Sequence, residues 1–194
     1  MEDRQTFSAF AGERCIVSGP LQTMLRTTKE WFDRDPGERV LIFEDRTGRQ
    51  VDFDFRGTAD EVVARAAPAP PRAGPGRPRL GVISREVSLL PRHWDWLELQ
   101  PNGISAALRR LVEEARKRDP EEEQARLARE AASRFMTAMA GNLPDFEEAS
   151  RALFGKDHER FEQLIRDWPA DVRAHLLQML VPTSDDRVHV PPGP

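Results

Sequence analysis

The hydrophobic positions of this chain follow two rhythms: short apolar runs closed by glycine near the start, then a repeat of three to four residues over most of the remaining length. TFSAFAG and ERCIVSG, ending at Gly12 and Gly19, predict the two strands of a hairpin. In PLQTMLRTTKEWFDR, Leu21, Met24, Leu25, Thr28 and Phe32 recur at helical spacing, with Pro20 suited to a first turn and Pro36-Gly37 ending the segment. RVLIFEDRTGRQVDFDFRG predicts a second hairpin: Val40 to Phe43 make one strand, and Gly48 stands where the turn needs a positive φ. On the return, Val51, Phe53 and Phe55 alternate with Asp52 and Asp54, so one face enters a core and the acidic face meets water. Thr58, with Glu61 three residues on, opens a short helix through a capping box.

From Pro68 to Pro78 five prolines interrupt any periodicity, which predicts an extended, semi-rigid linker. Beyond it, SREVSLLPRHWDWLELQPNGISAALRRLVEEARK, Ser84 to Lys117, reads as strand, proline, helix, Asn-Gly turn and second helix. Val87 and Leu89 alternate with Glu86 and Ser88, giving a strand with one apolar face. Pro91 opens a helix on which Trp94 and Leu97 share a side. Asn102-Gly103 breaks the chain, and Ser105 is placed to cap the next helix. There Ile104, Leu108, Leu111, Val112 and Ala115 form an unbroken stripe, with Arg109, Arg110, Arg116 and Lys117 outside it. A strand and two helices cannot bury that much apolar surface alone; a second copy or the rest of the chain must cover it.

The remainder is helical. Asp119 caps DPEEEQARLAREAASRFMTAMAG, Pro120 takes its first turn, and Ala128, Ala131, Ala132, Phe135 and Met139 line one side. LPDFEEASRALFG, DHERFEQLIRDW and PADVRAHLLQML come next as short amphipathic helices expected to pack as hairpins. The fold class is therefore α+β: a small β-β-α-β-β unit first, then linker, strand-helix-helix segment and helical hairpins.

Composition narrows the function. At 39% apolar residues the chain can build a core, and no run reaches the ~18 residues of a membrane span, so no membrane partner is expected. The start MEDRQTFSAF lacks the basic-then-apolar pattern of a secretory signal, and the single Cys15 predicts a buried small hydrophobe; the expected place is the bacterial cytoplasm. Net charge is −4, against a generic polyanion binder. The charge is uneven, however. Arg72 to Arg118 holds ten Arg and Lys against five Asp and Glu, +5, which leaves −9 elsewhere.

The order strand, Leu90-Pro91, helix, Gly103-Ile104-Ser105, Leu-rich helix resembles the ribbon-helix-helix DNA-binding domain of antitoxins and small repressors. That resemblance implies a homodimer whose paired strands enter the major groove of duplex DNA, with the start of the second helix holding a phosphate through backbone N–H groups. Carried over, Ser84, Glu86 and Ser88 face the groove if Val87 and Leu89 face the core; Gly103, Ile104 and Ser105 make the phosphate turn. Arg109 and Arg110 supply charge, and Arg72, Arg77 and Arg79 a basic arm or a solubilising spacer. The family usually turns the residue before the proline inward, which would select Leu90 and, with it, Ser88 and Glu86 instead. The alternative use of the same unit is packing or dimerisation with no DNA.

LIFEDRTGRQVDFDFRGT, REVSLLPRHWDWL, GISAALRRLVEEARK, RFMTAMAGNLPDFEEASRALF and DWPADVRAHL, in that order, resemble a bacterial family, domain of unknown function 2239, a likeness that implies no activity. The chain divides into a small α+β domain over 1–67, a Pro/Arg-rich linker over 68–79, a ribbon-helix-helix-like segment over 80–118, a helical domain over 119–182 and a flexible tail over 183–194. No Gly-rich phosphate loop, nucleophile elbow or metal-spaced His/Cys set occurs, so neither an enzyme, a cofactor nor a small-molecule substrate is expected. His93, beside two tryptophans, is expected as an exposed helix-start residue. His175 is expected at a satisfied core edge, and Asp52 with Asp54 as a solvated acidic face.

Overall fold

The computed structural model describes residues 5–67 and 85–181. The 68–79 linker, Ser84, the basic arm of Arg72, Arg77 and Arg79, and the 183–194 tail therefore lie outside the described residues. Those described fall into two units, 5–67 together with 124–181, and 85–123.

In the first unit, β1 (Thr6–Ala11) and β2 (Arg14–Pro20) form the expected hairpin, and α1 (Leu21–Arg34) starts directly from Pro20. The strands β3 (Val40–Glu44) and β4 (Arg49–Val51) make the second hairpin, followed by α2 (Ala59–Ala66) with the Thr58–Glu61 capping box complete. The sheet is wholly antiparallel, in the order β2-β1-β3-β4. Its two central strands are apolar on both faces because both faces are covered. Phe7, Ala9 and Ile42 pack with Met24, Leu25 and Val62 of α1 and α2. Phe10 and Phe43, of opposite parity, pack with Phe135 and the C-terminal helices. Ser8 shares the parity of Phe10 and stays buried by pairing its hydroxyl with that of Ser18 at 2.9 Å.

The alternation of Val51, Phe53 and Phe55 against Asp52 and Asp54 holds in exposure, yet the strand stops at Val51. Arg65 of α2 holds the backbone that follows. Its guanidinium donates to the carbonyls of Asp54 (2.9 Å) and Arg56, which therefore need no strand partner.

Helices α5 (Pro120–Ala140), α6 (Phe146–Phe154), α7 (His158–Leu164) and α8 (Ala170–Leu180) supply the other layer. Asp119 accepts the Glu122 N–H at 3.0 Å, the expected cap of α5. The sequence separates 1–67 from 119–182, but one core runs through both: Phe10, Phe43, Phe135, Phe161, Ile165 and Leu176 are buried together. Gly48 shows how close the layers come. It has φ +65, and a Cβ there would stand 1.9 Å from the Ala131 carbonyl oxygen of α5. Arg134 donates to the neighbouring Thr47 carbonyl at 2.8 Å.

The second unit holds α3 (Pro91–Glu98) and α4 (Ile104–Arg118), packed on each other with Leu97 and Ala107 buried. Residues 85–90, from the segment expected as a strand, form none among the described residues. A strand needs a neighbour to accept its hydrogen bonds, and no other strand occurs among the described residues of this unit.

Candidate nucleic-acid interface

Leu90 is extended (φ −66, ψ 148), and its carbonyl accepts the first N–H groups of α3, from His93 at 2.8 Å and Trp94 at 3.3 Å. Pro91, lacking an N–H, sits where none is needed. Before it, Glu86, Val87 and Ser88 are exposed. Of the expected anchor pair, Val87 is 54% exposed and Leu89 half-buried, and Leu90, of the other parity, is 50% exposed. His93 is exposed as expected, Trp94 half-buried and Leu97 buried, so one side of α3 faces inward. Trp96 and Leu99, one turn apart on the other side, are exposed. Sequence reasoning did not single them out, although their i, i+3 spacing was legible.

The turn to α4 uses two left-handed residues in succession, Asn102 (φ 67) and Gly103 (φ 80). Gly103 is the N-cap, and its carbonyl accepts from both Ala106 and Ala107 at 3.1 Å. Ser105, expected as the cap, lies instead inside the first turn, because the glycine's conformation starts the helix at Ile104. Its carbonyl takes the Arg109 Nε–H at 3.0 Å. The α4 start carries no side-chain cap and no acid in its first turn, so the positive end of its dipole is uncompensated by a carboxylate. Gly103, Ile104, Ser105 and Arg109 are thereby brought together at one helix end. Arg110 points elsewhere: it donates to Gln100 Oε1 at 3.3 Å and lies 3.7 Å from Glu114. Glu86 and Ser88 lie on the segment before α3, and Ser84 lies outside the described residues.

Ionisable groups gather in one other place, in the first unit. His175 of α8 is buried against Phe10 and Phe135, its Nε2 3.6 Å from Asp45 Oδ1, and neither atom has a hydrogen-bond partner. The expected satisfied core edge is thus buried but unsatisfied. Burial pushes the imidazole below its ordinary range, against the opposing pull of the Asp45 carboxylate. Cys15 is half-buried, and burial, then the Asp171 and Asp45 charges, push its thiol up; Asp171 also accepts the Cys15 N–H at 2.9 Å. A thiol held protonated is a poor nucleophile. At the acidic edge of α2, Arg56 pairs with Asp54 at 2.8 Å and holds its carboxyl well below the usual carboxylate range.

Among the described residues no three His, Cys, Asp or Glu side chains meet as a metal site, and no helix is long and apolar enough to cross a membrane. Neither a curated protein nor a solved structure matches the chain. A family model does match, over residues 6–180, and with that share of its length covered the chain belongs to the family of uncharacterized proteins conserved in bacteria, domain of unknown function 2239.

Proposed function

We propose that the chain is a non-enzymatic transcriptional regulator of the bacterial cytoplasm that binds duplex DNA as a ribbon-helix-helix-type homodimer. The observation that carries this reading is the state of residues 85–90. They lead into α3 outside any helix or strand, with no strand partner among the described residues, and Val87 is 54% exposed. A second copy supplies a partner: two such segments pair antiparallel about a twofold axis and bury the face that carries Val87 and Leu89. The uncapped start of α4, with Arg109 folded over it, then offers N–H groups and a positive charge to a backbone phosphate. The groove-facing side chains, Glu86 and Ser88, bring no basic donor to guanine. Phosphate contacts therefore supply most of the affinity, and binding falls steeply with salt.

The alternative, a protein-interaction module without DNA, has one feature in its favour: the exposed Trp96 and Leu99 on the outer side of α3. A gel-shift titration at low salt, with duplex taken from upstream of the protein's own reading frame, separates the two. Retardation lost on raising salt supports the regulator. No retardation at any protein concentration rejects it and leaves the interaction module.

A further inference from the structure

The β3–β4 turn and α8 meet at a buried polar pair that satisfies neither side. The His175 ring lies edge-on to Phe10 of β1 at 5.4 Å and to Phe135 of α5 at 4.6 Å. Its Nε2 is 3.6 Å from Asp45 Oδ1, beyond the about 2.7–3.2 Å of an N–H···O hydrogen bond, and neither atom has another partner among the described residues. The two sides of this contact are held unequally. The turn is clamped: the Asp45 N–H donates to the Thr6 carbonyl at 3.0 Å, the Gly48 N–H to the Glu44 carbonyl at 2.8 Å, and Arg134 of α5 to the Thr47 carbonyl at 2.8 Å. Helix α8 is tied to the sheet at its start, where Asp171 accepts the Cys15 N–H at 2.9 Å and Val172 is buried. Past His175 and Leu176 its hold weakens: Leu177, Met179 and Leu180 are only half-buried, and Val181 is 64% exposed.

We infer that this pair is an acid-operated catch: when His175 takes up a proton, α8 from His175 onward releases from the sheet while the turn stays in place. Few charges surround the ring. β1 and α5 present Phe10 and Phe135 to it, and the turn presents Asp45. Asp171, one turn earlier on α8, is engaged by the Cys15 N–H of β2, whose thiol is held uncharged, and Arg134 of α5 is turned to the Thr47 carbonyl. Only the Asp45 carboxylate supports a cation at His175, and at 3.6 Å it does so without a hydrogen bond. A buried imidazolium would therefore give up its water for an incomplete return, in keeping with its weakened hold on a proton. In the released helix the ring is hydrated and takes the proton at its ordinary strength, so acid favours release. The looser side of the contact moves, and Phe10 and Phe135 lose their cover.

Native-state amide hydrogen exchange of the full-length chain, read by NMR and corrected for the pH dependence of exchange itself, tests the catch. Amides of residues 176–180 should be less protected than those of β1 and β3, and their opening should not respond to urea below the unfolding range. Their protection should fall from pH 7 to 5 by up to about tenfold per pH unit below the ring's ordinary 6.5, as one extra proton is bound on opening. His175→Leu should abolish that fall. In Asp45→Asn the closed ring loses its one supporting charge, so the fall should continue to lower pH than in wild type. Protection of 176–180 that ignores pH, or that matches β1 and β3 and drops with urea in step with them, overturns the inference; the second result means that the whole unit opens at once. The ring's own NMR titration needs no variant: His175 titrating at or above 6.5 in the wild type overturns it as well.

Discussion

Gly48→Ala probes how the sheet meets the helices. Gly48 combines two demands that are separable elsewhere in the same unit. Its φ of +65 alone costs an alanine about 1–2 kcal/mol. Its missing Cβ is a second matter. A methyl group there would stand 1.9 Å from the Ala131 carbonyl oxygen and 2.6 Å from its carbon, both backbone atoms that no rotamer change can move. Relief requires the β3–β4 turn and α5 to part by more than about 1 Å, a gap that forfeits a quarter to a half of the dispersion energy across the seam. The Arg134 hydrogen bond to the Thr47 carbonyl, worth about 1.5 kcal/mol or more for a charged donor, is stretched with it. The Phe43–Phe135 contact, with ring centroids 4.9 Å apart, loosens as well. Together these predict a loss of about 4–6 kcal/mol, close to the whole stability of many domains. Gly12 is the internal control. It has φ +54, but its nearest neighbour to a new Cβ is Glu38 Oε1 at 4.0 Å, so Gly12→Ala should cost only the backbone strain. Urea unfolding of both variants followed by circular dichroism gives the comparison. Gly48→Ala costing no more than Gly12→Ala would refute the close packing of the turn on α5.

The same structure sets expectations elsewhere. His175 is held below its ordinary 6.5 by burial, so the unfolded chain binds the extra proton in the window just below that value. Stability should therefore rise with pH through this window and fall on acidification, and His175→Leu should flatten the slope measured by urea midpoints from pH 5 to 7. A slope unchanged in His175→Leu would mean that another group carries it. Arg109→Gln should weaken duplex binding and reduce the slope of log affinity against log salt by about one, read by fluorescence anisotropy; an unchanged slope would remove Arg109 from the phosphate contacts. Val87→Asp should shift the sedimentation equilibrium toward monomer without altering thermal unfolding of the first unit, since Val87 is half exposed in the single chain. A dimer as strong as wild type would exclude the 85–90 segment from the interface.

Local chemistry made much of this fold legible. The β-β-α-β-β-α order of the first unit, the Thr58–Glu61 box and the Asp119 cap each depend on residues within a turn of one another, where spacing and propensity decide the outcome. Continuous apolarity from Val40 to Phe43 reports that the strand is covered on both faces, but not by what. That Phe10 and Phe43 meet Phe135 and His175 depends on a contact made across more than ninety intervening residues. No periodicity in either segment encodes that partnership. Arg65 reaching back to the Asp54 and Arg56 carbonyls escaped for the same reason. In the candidate interface the helix positions and the Asn102-Gly103 turn were legible. The helix start was not, because Gly103 displaced Ser105 from the cap through its left-handed backbone. The state of residues 85–90 was hidden as well, since an alternating strand pattern does not say whether its partner lies in the same chain.

Sedimentation velocity of the full-length chain with a fluorescent duplex, in low salt, addresses the DNA-binding dimer most directly. The duplex should sediment as a complex carrying two chains and return to its free rate as salt is raised. Labelled duplex that sediments alone at every protein concentration, beside a chain that remains monomeric, would contradict it.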